Sequence, residues 1–520
     1  MNSHATLPTH VPALQQLVLE QQHMIETLKE QLRLSLRRQF GPRNEFVNVD
    51  QLGLFAAKID DGTTVVEVEI GATEVVGATN FDSDSIPVER KKAVRILKDL
   101  PRDVRIIDIP DSEKICSCCG GALHSMKDDA AEHVEYVPAT LKIIETRRKK
   151  YACNSCHGEI KRAKEEFPAL FAKGMASPSL IAFLIVCKYA DHLPLYRISQ
   201  ILKRMGIEIS DSLMSEWLLH ASELFDDLMK RMIVTVLATR HVFTDDTILP
   251  MQNKDPNRNT TVKSRLWVYA AYTEPDRQKP LVVYDFSVTR SQAAPMGFLA
   301  GYAGYLQADA FPGYDVLFRS KKVFEIACWA HTRRKFVEVT ALMKTPGRAH
   351  TAIAYIKKLY AIESQIRRLK NDEKRALRQD QSRKVLAQFK SWLDVEVNGV
   401  LPKSALGNAI GYTLKNWEAL CRYTEQGFLE ADNNFAERCM RPVALGRKNY
   451  LFVGSERGGK AAALYYSLIE SCKLNKVNPI TYMTYLLSNV HNKAITLPLP
   501  HEFNLKTAAH STHWANRYKF

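Results

Sequence analysis

Between residues 236 and 335 the apolar pattern changes from helical steps to short extended runs, and the extended runs end in acids. "RHVFTDDT" reads as a strand closing on Asp245 and Asp246, and "RLWVYAAY" and "LVVYDFS" as two more strands separated by turn-rich pieces. A helical segment, "SQAAPMGFLA", precedes "AGYLQADAF", a strand ending at Asp309. A short helix near Tyr314, a strand "VFEIACWA" and a basic helix start "HTRRKF" complete the run. Three consecutive strands followed by helix, strand, helix, strand, helix leave few sheets to build, because connections are short and crossovers share one hand. In the sheet this order predicts, the first and fourth strands lie side by side, so Asp245 and Asp309 become neighbours.

That element order is the one of a ribonuclease-H-like α/β core, which needs a third acid from a helix packed on the same edge. Residues 345–428 do not supply it: Ile353, Ile356, Leu359, Ile362, Ile366 and Leu369 fall at helical steps, followed by two more helical patterns, so this stretch reads as an all-helical insertion. The closing helix follows in "EADNNFAERCMRP". Read locally, Asp432 or Asn434 caps it and Glu437 stands three residues after Asn434, the spacing of a capping box. The functional reading is that Glu437 completes a carboxylate triad with Asp245 and Asp309. Three carboxylates from separate elements suit two-metal phosphoryl chemistry, in which hard divalent cations take oxygen ligands about 4 Å apart. Magnesium or manganese is the expected pair. Arg438, Arg441, Arg447 and Lys448, with His331, Arg333, Arg334 and Lys335 of the "HTRRKF" cluster, would hold phosphates on either side.

At 520 residues the chain is too long for one core, so a multidomain α+β protein is expected. The excess of 72 Lys+Arg over 57 Asp+Glu points to a polyanionic partner such as DNA. The N-terminal sequence lacks the apolar core of a signal peptide, and "LIAFLIVC" is too short to span a bilayer; a cytoplasmic protein without a membrane partner is expected. The predicted organisation is a leucine-rich helix over 1–45, a linker over 46–110 and a zinc module over 111–160. A helical, helix-turn-helix-like region follows over 161–235, then the catalytic domain over 236–445 with its insertion at about 345–428, and a C-terminal helical region over 446–520. In the first of these, Leu14, Leu17, Val18, Met24, Ile25, Leu28, Leu32 and Leu36 share one helix face, which Gln21 and Gln31 interrupt. That face can form a short coiled coil for self-association or pack on the protein's own body.

Ten cysteines without a secretion signal suggest a metal site rather than disulfides. Cys116 with Cys119 and Cys153 with Cys156 form two CxxC pairs, each a knuckle that aims two sulfurs at one ion; one structural zinc is expected. Cys118 is a spare sulfur. The sequence between the pairs alternates like two strands of a ribbon. Arg147, Arg148, Lys149 and Lys150 read either as a DNA contact or as a solvated run. Farther on, "LPLYRISQILKRMGIEISDSLMSEWLLHASELF" gives a helix, a tight turn at Gly206 and a second helix opening at Ser210 or Asp211. Ser212, Met214, Ser215 and Glu216 would lie on the opening turns of a recognition helix; the bland reading is a plain helical hairpin.

"TDDT", "GYLQADAFPGY", "CWAHTRRKF", "DNNFAERCMRPVALGRKNYLFVGSERGG" and "ALYYSLIESCKLNKVNP" resemble the motifs of transposases of the insertion sequence 66 family, as do the leucine-rich helix, the double CxxC and "KYADHLPLYR". The resemblance covers nearly the whole chain. It implies an Asp-Asp-Glu triad carried by Asp245, Asp309 and Glu437, cutting and joining of DNA at the ends of an insertion sequence, and companion proteins encoded by the same element. The family pattern follows the first aspartate with glutamate, where this chain has Asp246. Water would first free a 3′-hydroxyl at the element end, and that hydroxyl would then attack target DNA. The alternatives are a related nuclease without strand transfer and a catalytically silent, zinc-bearing DNA-binding protein. At least a dimer is expected, since two DNA ends must be held together.

Overall fold

The computed structural model describes residues 140–147, 149–152, 160–162, 170 and 175–504, apart from 254–259, 275–277 and 342–345, together with Cys118 and eight positions between 15 and 32. The chain divides into two compact units: Met1–Leu54 with Leu141–Phe520, and Phe55–Thr140. All eight described positions between 15 and 32 are helical and exposed, including Val18, Ile25, Leu28 and Leu32 of the expected seam. The expected linker over 46–110 lies outside the described residues, as do Cys116, Cys119, Cys153 and Cys156. Cys118 is a free, exposed thiol. Strands β1 (Lys150–Ala152) and β2 (Ile160–Arg162) pair antiparallel, with Ala152 opposite Ile160. The ribbon therefore brackets the second CxxC pair. Of the ribbon expected between the two cysteine pairs, residues 140–147 carry no ladder, and 133–139 lie outside the described residues.

Four helices come next: α1 (Pro178–Tyr189), α2 (Leu195–Arg204), α3 (Asp211–Glu223) and α4 (Asp226–Leu237). Ser210 caps α3 by accepting from the Leu213 amide at 3.3 Å, supplying one of the partners a helix start lacks. Gly206 turns the chain between α2 and α3 at φ +95°, a conformation that side chains disfavour. The predicted hairpin is present, but Met214 is fully buried in the core and faces no groove.

The five-stranded sheet comprises β3 (His241–Ile248), β6 (Arg265–Glu274), β7 (Gln278–Ser287), β8 (Gly304–Gln307) and β9 (Val323–Ile326), in the order β7-β6-β3-β8-β9. The first three strands run antiparallel, and β8 and β9 run parallel to β3. A small ribbon of β4 (Met251–Gln252) and β5 (Thr261–Val262) extends the β3–β6 connection. Helix α5 (Ala293–Phe298) precedes β8, α6 (Asp315–Arg319) follows it, and α7 (Trp329–Thr340) follows β9.

The helical stretch expected over 345–428 contains α8 (Arg348–Ile366), α9 (Asn371–Leu377), α10 (Arg383–Glu396), α11 (Ala405–Lys415) and α12 (Trp417–Cys421). With α7 it builds a second apolar core around Trp329, Ile356, Leu386, Phe389 and Leu420. The closing helix α13 (Asn434–Tyr450) is followed by α14 (Glu456–Leu474) and α15 (Pro479–Asn489). There is no break in packing at residue 446. Helix α13 runs through that position, and α14 lies on β7, where Ser467 and Ser471 accept from the Tyr284 and Val282 amides at 2.8 and 3.0 Å. Gly459 makes this approach possible, since a Cβ there would come within 2.5 Å of the Phe286 ring.

Both faces of the sheet are covered, which explains near-continuous apolar runs such as Leu266–Ala271. Phe243 and Tyr272 meet Phe435 of α13, with ring centroids 5.3 and 4.7 Å apart; burying one phenylalanine is worth about 1.5–3 kcal/mol. On the opposite face Tyr269 stacks on Phe298 of α5 at 3.6 Å.

Candidate active site

Strand alternation decides what each acid of "TDDT" meets. Phe243, Asp245 and Thr247 point to the face covered by α13: Phe243 packs on Phe435, and Thr247 accepts from Arg447 at 2.9 Å. Thr244 and Asp246 point the other way. Thr244 meets the Tyr314 hydroxyl at 3.0 Å, and Asp246 is held by Arg265 at 2.9 Å and by Arg290 at 2.8 Å. The Asp246 carboxylate, 2 % exposed, is thus neutralised by two guanidinium groups and turned away from Asp245.

Register carries Asp309 to the same height. Phe243 pairs with Gln307 across the parallel β3–β8 ladder, and two residues further along each chain stand Asp245 and Asp309. Asp309 leaves the strand in a tight turn, accepting from the Phe311 amide at 3.2 Å, while Ala310 takes φ +61°. Arg290 lies 3.8 Å from its other oxygen and 4.2 Å over the Phe311 ring.

Glu437 comes from the first turn of α13, and the start of that helix is tied to the sheet. Asn433 donates through its side-chain amide to the Thr244 carbonyl at 2.8 Å, and its backbone amide donates to Cys328 Sγ at 3.2 Å. Asn433 is the cap residue. Its amide side chain serves β3 instead of the helix amides, while Asp432 accepts from the Asn434 amide at 3.1 Å. Glu437 therefore stands one position beyond the third helical residue, and the capping box does not form. Two further tethers hold the segment just before α13: Trp329 at the start of α7 donates its amide to the Ala431 carbonyl at 3.0 Å, and Gln307 of β8 donates to the Glu430 carbonyl at 3.0 Å.

Asp309 and Glu437 both lie near enough to Asp245 for their charges to act on it. Burial pushes the Asp245 carboxyl up to about 8, and the negative charges of Asp309 and then Glu437 push in the same direction. Glu437 Oε1 lies 3.6 Å from His331 Nδ1, and Cys328 Sγ, His331 and Glu437 bring ligand atoms within 4.8 Å of one another. Burial lowers the His331 pKa, against the pull of Glu437. Glu437 Oε1, His331 Nδ1 and Asn433 Oδ1 are buried with no hydrogen-bond partner among the described residues, a rare condition for native polar atoms and costly to maintain. The Asp245 carboxyl, opposed by the charges of Asp309 and Glu437, and the buried Glu437 Oε1 are oxygen donors of the kind a divalent cation takes. Sequence reasoning missed Cys328 and the tethering role of Asn433. The signal was there in "CWAH": Cys328 and His331 stand three apart at a helix start and so share one side of it.

Among the expected DNA contacts, Arg334, Arg438, Arg441 and Lys448 are exposed, while Arg333 and Lys335 are half-buried. Lys335 packs 4.4 Å over the Tyr412 ring. Arg447 differs from expectation: it donates to Thr247 and to the Ile248 carbonyl at 2.6 Å, pinning α13 along β3.

Similar sequences are known over most of the chain. The model of the Transposase IS66 family matches residues 173–461, more than half of the chain. The zinc-finger binding domain of transposase IS66 matches residues 113–157, a span containing all four cysteines of the two CxxC pairs. A third model, Transposase C of IS166 homeodomain, matches residues 27–105. Similar proteins occur in Sinorhizobium fredii. The uncharacterized protein y4jD is 32 % identical over 509 residues, covering 95 % of each chain, and the uncharacterized protein y4qI is 32 % identical over 481 residues, covering 90 % of this chain and 86 % of its own. The matches define a transposase-type DNA-processing protein. The chain belongs to the IS66 transposase family. A zinc-binding module and DNA as partner follow from that membership, and no helix among the described residues is long and apolar enough to cross a membrane.

Proposed function

We propose that the protein cuts and joins DNA at the ends of an insertion sequence, through a ribonuclease-H-like core whose catalytic carboxylates are Asp245, Asp309 and Glu437. The observation that supports this reading is the register of β3 and β8, which sets Asp245 level with Asp309, together with the charges of Asp309 and Glu437 that both act on the Asp245 carboxyl. Magnesium or manganese, held by these three residues, would supply charge neutralisation for phosphoryl transfer. The chain's own groups do the rest. Arg334, Arg438, Arg441 and Lys448 offer exposed charge to the backbone phosphates on either side of the scissile bond. Arg290 holds Asp246 at 2.8 Å and lies 3.8 Å from Asp309.

In the first step water attacks the phosphodiester at the element end and a 3′-hydroxyl leaves. In the second, that hydroxyl attacks a target phosphodiester and a new 3′-hydroxyl leaves, so the number of phosphodiester bonds is conserved. The four cysteines Cys116, Cys119, Cys153 and Cys156 would hold one structural zinc, and the exposed N-terminal seam would pair two copies. The division into a leucine-rich helix, a zinc module, a helix-turn-helix-like region and a catalytic domain with its insertion belongs to the same proposal, as do a cytoplasmic site of action and companion proteins of the same element.

A gel assay with labelled inverted repeats and a supercoiled target tests this. Joined products are expected with wild type and none with Asp309→Ala, which should still retain DNA. Cleaved but never joined ends would select the nuclease reading, and equal cleavage by wild type and variant would reject the site.

A further inference from the structure

At the far end of α13 a groove of ≈ 620 Å³ opens against the starts of α2 and α3. Its wall carries Tyr196, Tyr450, Leu451 and Phe452, and Lys188 stands among them. Tyr196 is 54 % exposed and Phe452 42 % exposed, although both are large apolar rings. Lys188 Nζ lies 5.1 Å from the Tyr450 ring centroid and 5.6 Å from that of Tyr189, and no ion pair or hydrogen bond holds it among the described residues. An ammonium group that faces only rings lacks an anion.

The backbone is strained at the same place. Leu451 takes φ +63° and ψ −50°, and the Phe452 amide donates to the Tyr450 carbonyl at 2.7 Å. That is a γ-turn of the rare handedness, unfavourable for a branched side chain. It is held from behind: Val453 bridges Met251, donating to the Pro250 carbonyl and accepting from the Gln252 amide, both at 2.9 Å. Such strain persists where the surroundings over-determine it, and it concentrates at ligand clamps. Here it displays Leu451 and Phe452 to solvent.

We propose that this groove receives one unpaired nucleotide of the DNA end, with its base stacked against Tyr196 and Phe452 and its phosphate at Lys188. The inference rests on the transposase reading and adds to it a site for DNA that has left the duplex. Three features favour a single nucleotide over duplex backbone. Exposed rings offer stacking, which every base accepts. Asp211 and Glu216 line the same groove and would repel a run of phosphates, yet they can accept from the exocyclic amino groups that an unpaired base exposes. The groove also lies on the helix that starts at the carboxylates: Glu437 to Tyr450 spans about 20 Å at 1.5 Å per residue, within reach of a short displaced strand.

The test compares a blunt duplex of the inverted repeat with the same duplex carrying an unpaired 3′ extension that contains 2-aminopurine. The full chain should bind the extended probe about tenfold more tightly and quench its fluorescence. Tyr196→Ala and Phe452→Ala change exposed rings, and Lys188→Met keeps the stem while removing the charge. Each should lose the preference and the quenching, with blunt-duplex affinity unchanged and the folding transition retained. Wild type that binds both probes equally overturns the inference and leaves the transposase reading standing. Wild type that neither binds nor cuts either probe rejects the transposase reading and this site with it. If Tyr196→Ala abolishes self-association but keeps the preference, the groove serves a protein partner and the inference fails.

Discussion

Two buried charge clusters in this molecule follow opposite rules. In the helical insertion, Arg378 is fully buried and its donors are all used: Glu363 accepts at 2.8 and 2.6 Å, and the carbonyls of Tyr423, Gln426 and Leu429 accept at 3.0, 2.8 and 3.0 Å. Around the acids, Asp245 feels the charge of two more anions, and among the described residues Glu437 Oε1, His331 Nδ1 and Asn433 Oδ1 have no hydrogen-bond partner. The first arrangement is complete without a ligand and fixes how the insertion closes on itself. The second is left incomplete by the fold, which is how a site that must take up cations and phosphate differs from one that only holds helices together.

The sharpest way to break this contrast is to remove a member of each cluster. Asp309→Ala should lower strand cleavage by about 10⁴-fold or more, because groups that act as a unit fail together, while the unfolding midpoint in denaturant stays near wild type. Arg378→Met should do the reverse. Leaving Glu363 without its partner costs about 3–5 kcal/mol, visible in urea titrations, with metal-dependent cleavage retained in the folded fraction.

A smaller effect concerns pH. The folded-state value of about 8 for Asp245 lies above the ordinary carboxylate value, so the folded metal-free chain keeps a proton that the unfolded chain releases. That contribution, on the order of a few kcal/mol, is complete below about pH 4 and is lost as pH rises to about 8. Asp432, raised to about 6 by burial, adds the same sign over the lower part of that window. Asp245→Asn should flatten the decline between pH 6 and 8 as about 1.4 kcal/mol per unit is removed; an unchanged slope would show that the pocket is less crowded with charge than its geometry implies.

Smaller again is the response to metal. Magnesium or manganese at about a hundred times its dissociation constant should stabilise wild type by about 2.7 kcal/mol, raising its melting temperature in calorimetry, with little rise for Asp309→Asn and a normal rise for Arg378→Met. The smallest change lies outside both clusters. Arg441→Ala, an exposed site on α13, should reduce the salt dependence of DNA binding by about one phosphate contact, with cleavage of bound DNA unaffected.

Much of the sheet was legible because the signals are local. The strands of "RLWVYAAY" and "LVVYDFS" carry apolar side chains on both faces, and the hairpin of α2 and α3 announces itself through Gly206 and the Ser210 cap. The exchange at the start of α13 was not legible. A capping box and a cap that spends its side chain on a neighbouring strand look alike in "EADNNFAERC", since nothing nearby says that the Thr244 carbonyl will be within reach. Arg447 misled for the same reason. An arginine in the last turn of a basic helix reads as a phosphate contact until Thr247 and Ile248 turn out to be its acceptors.

By itself, then, the sequence determined the strands, the helices, the basic excess and the two CxxC pairs, because each depends on neighbours a few residues away. Tertiary packing decided which of two adjacent aspartates joins the acid pocket. Alternation guarantees only that Asp245 and Asp246 part ways; which side holds the arginines and which side receives α13 depends on segments far along the chain, and only their packing together could decide it.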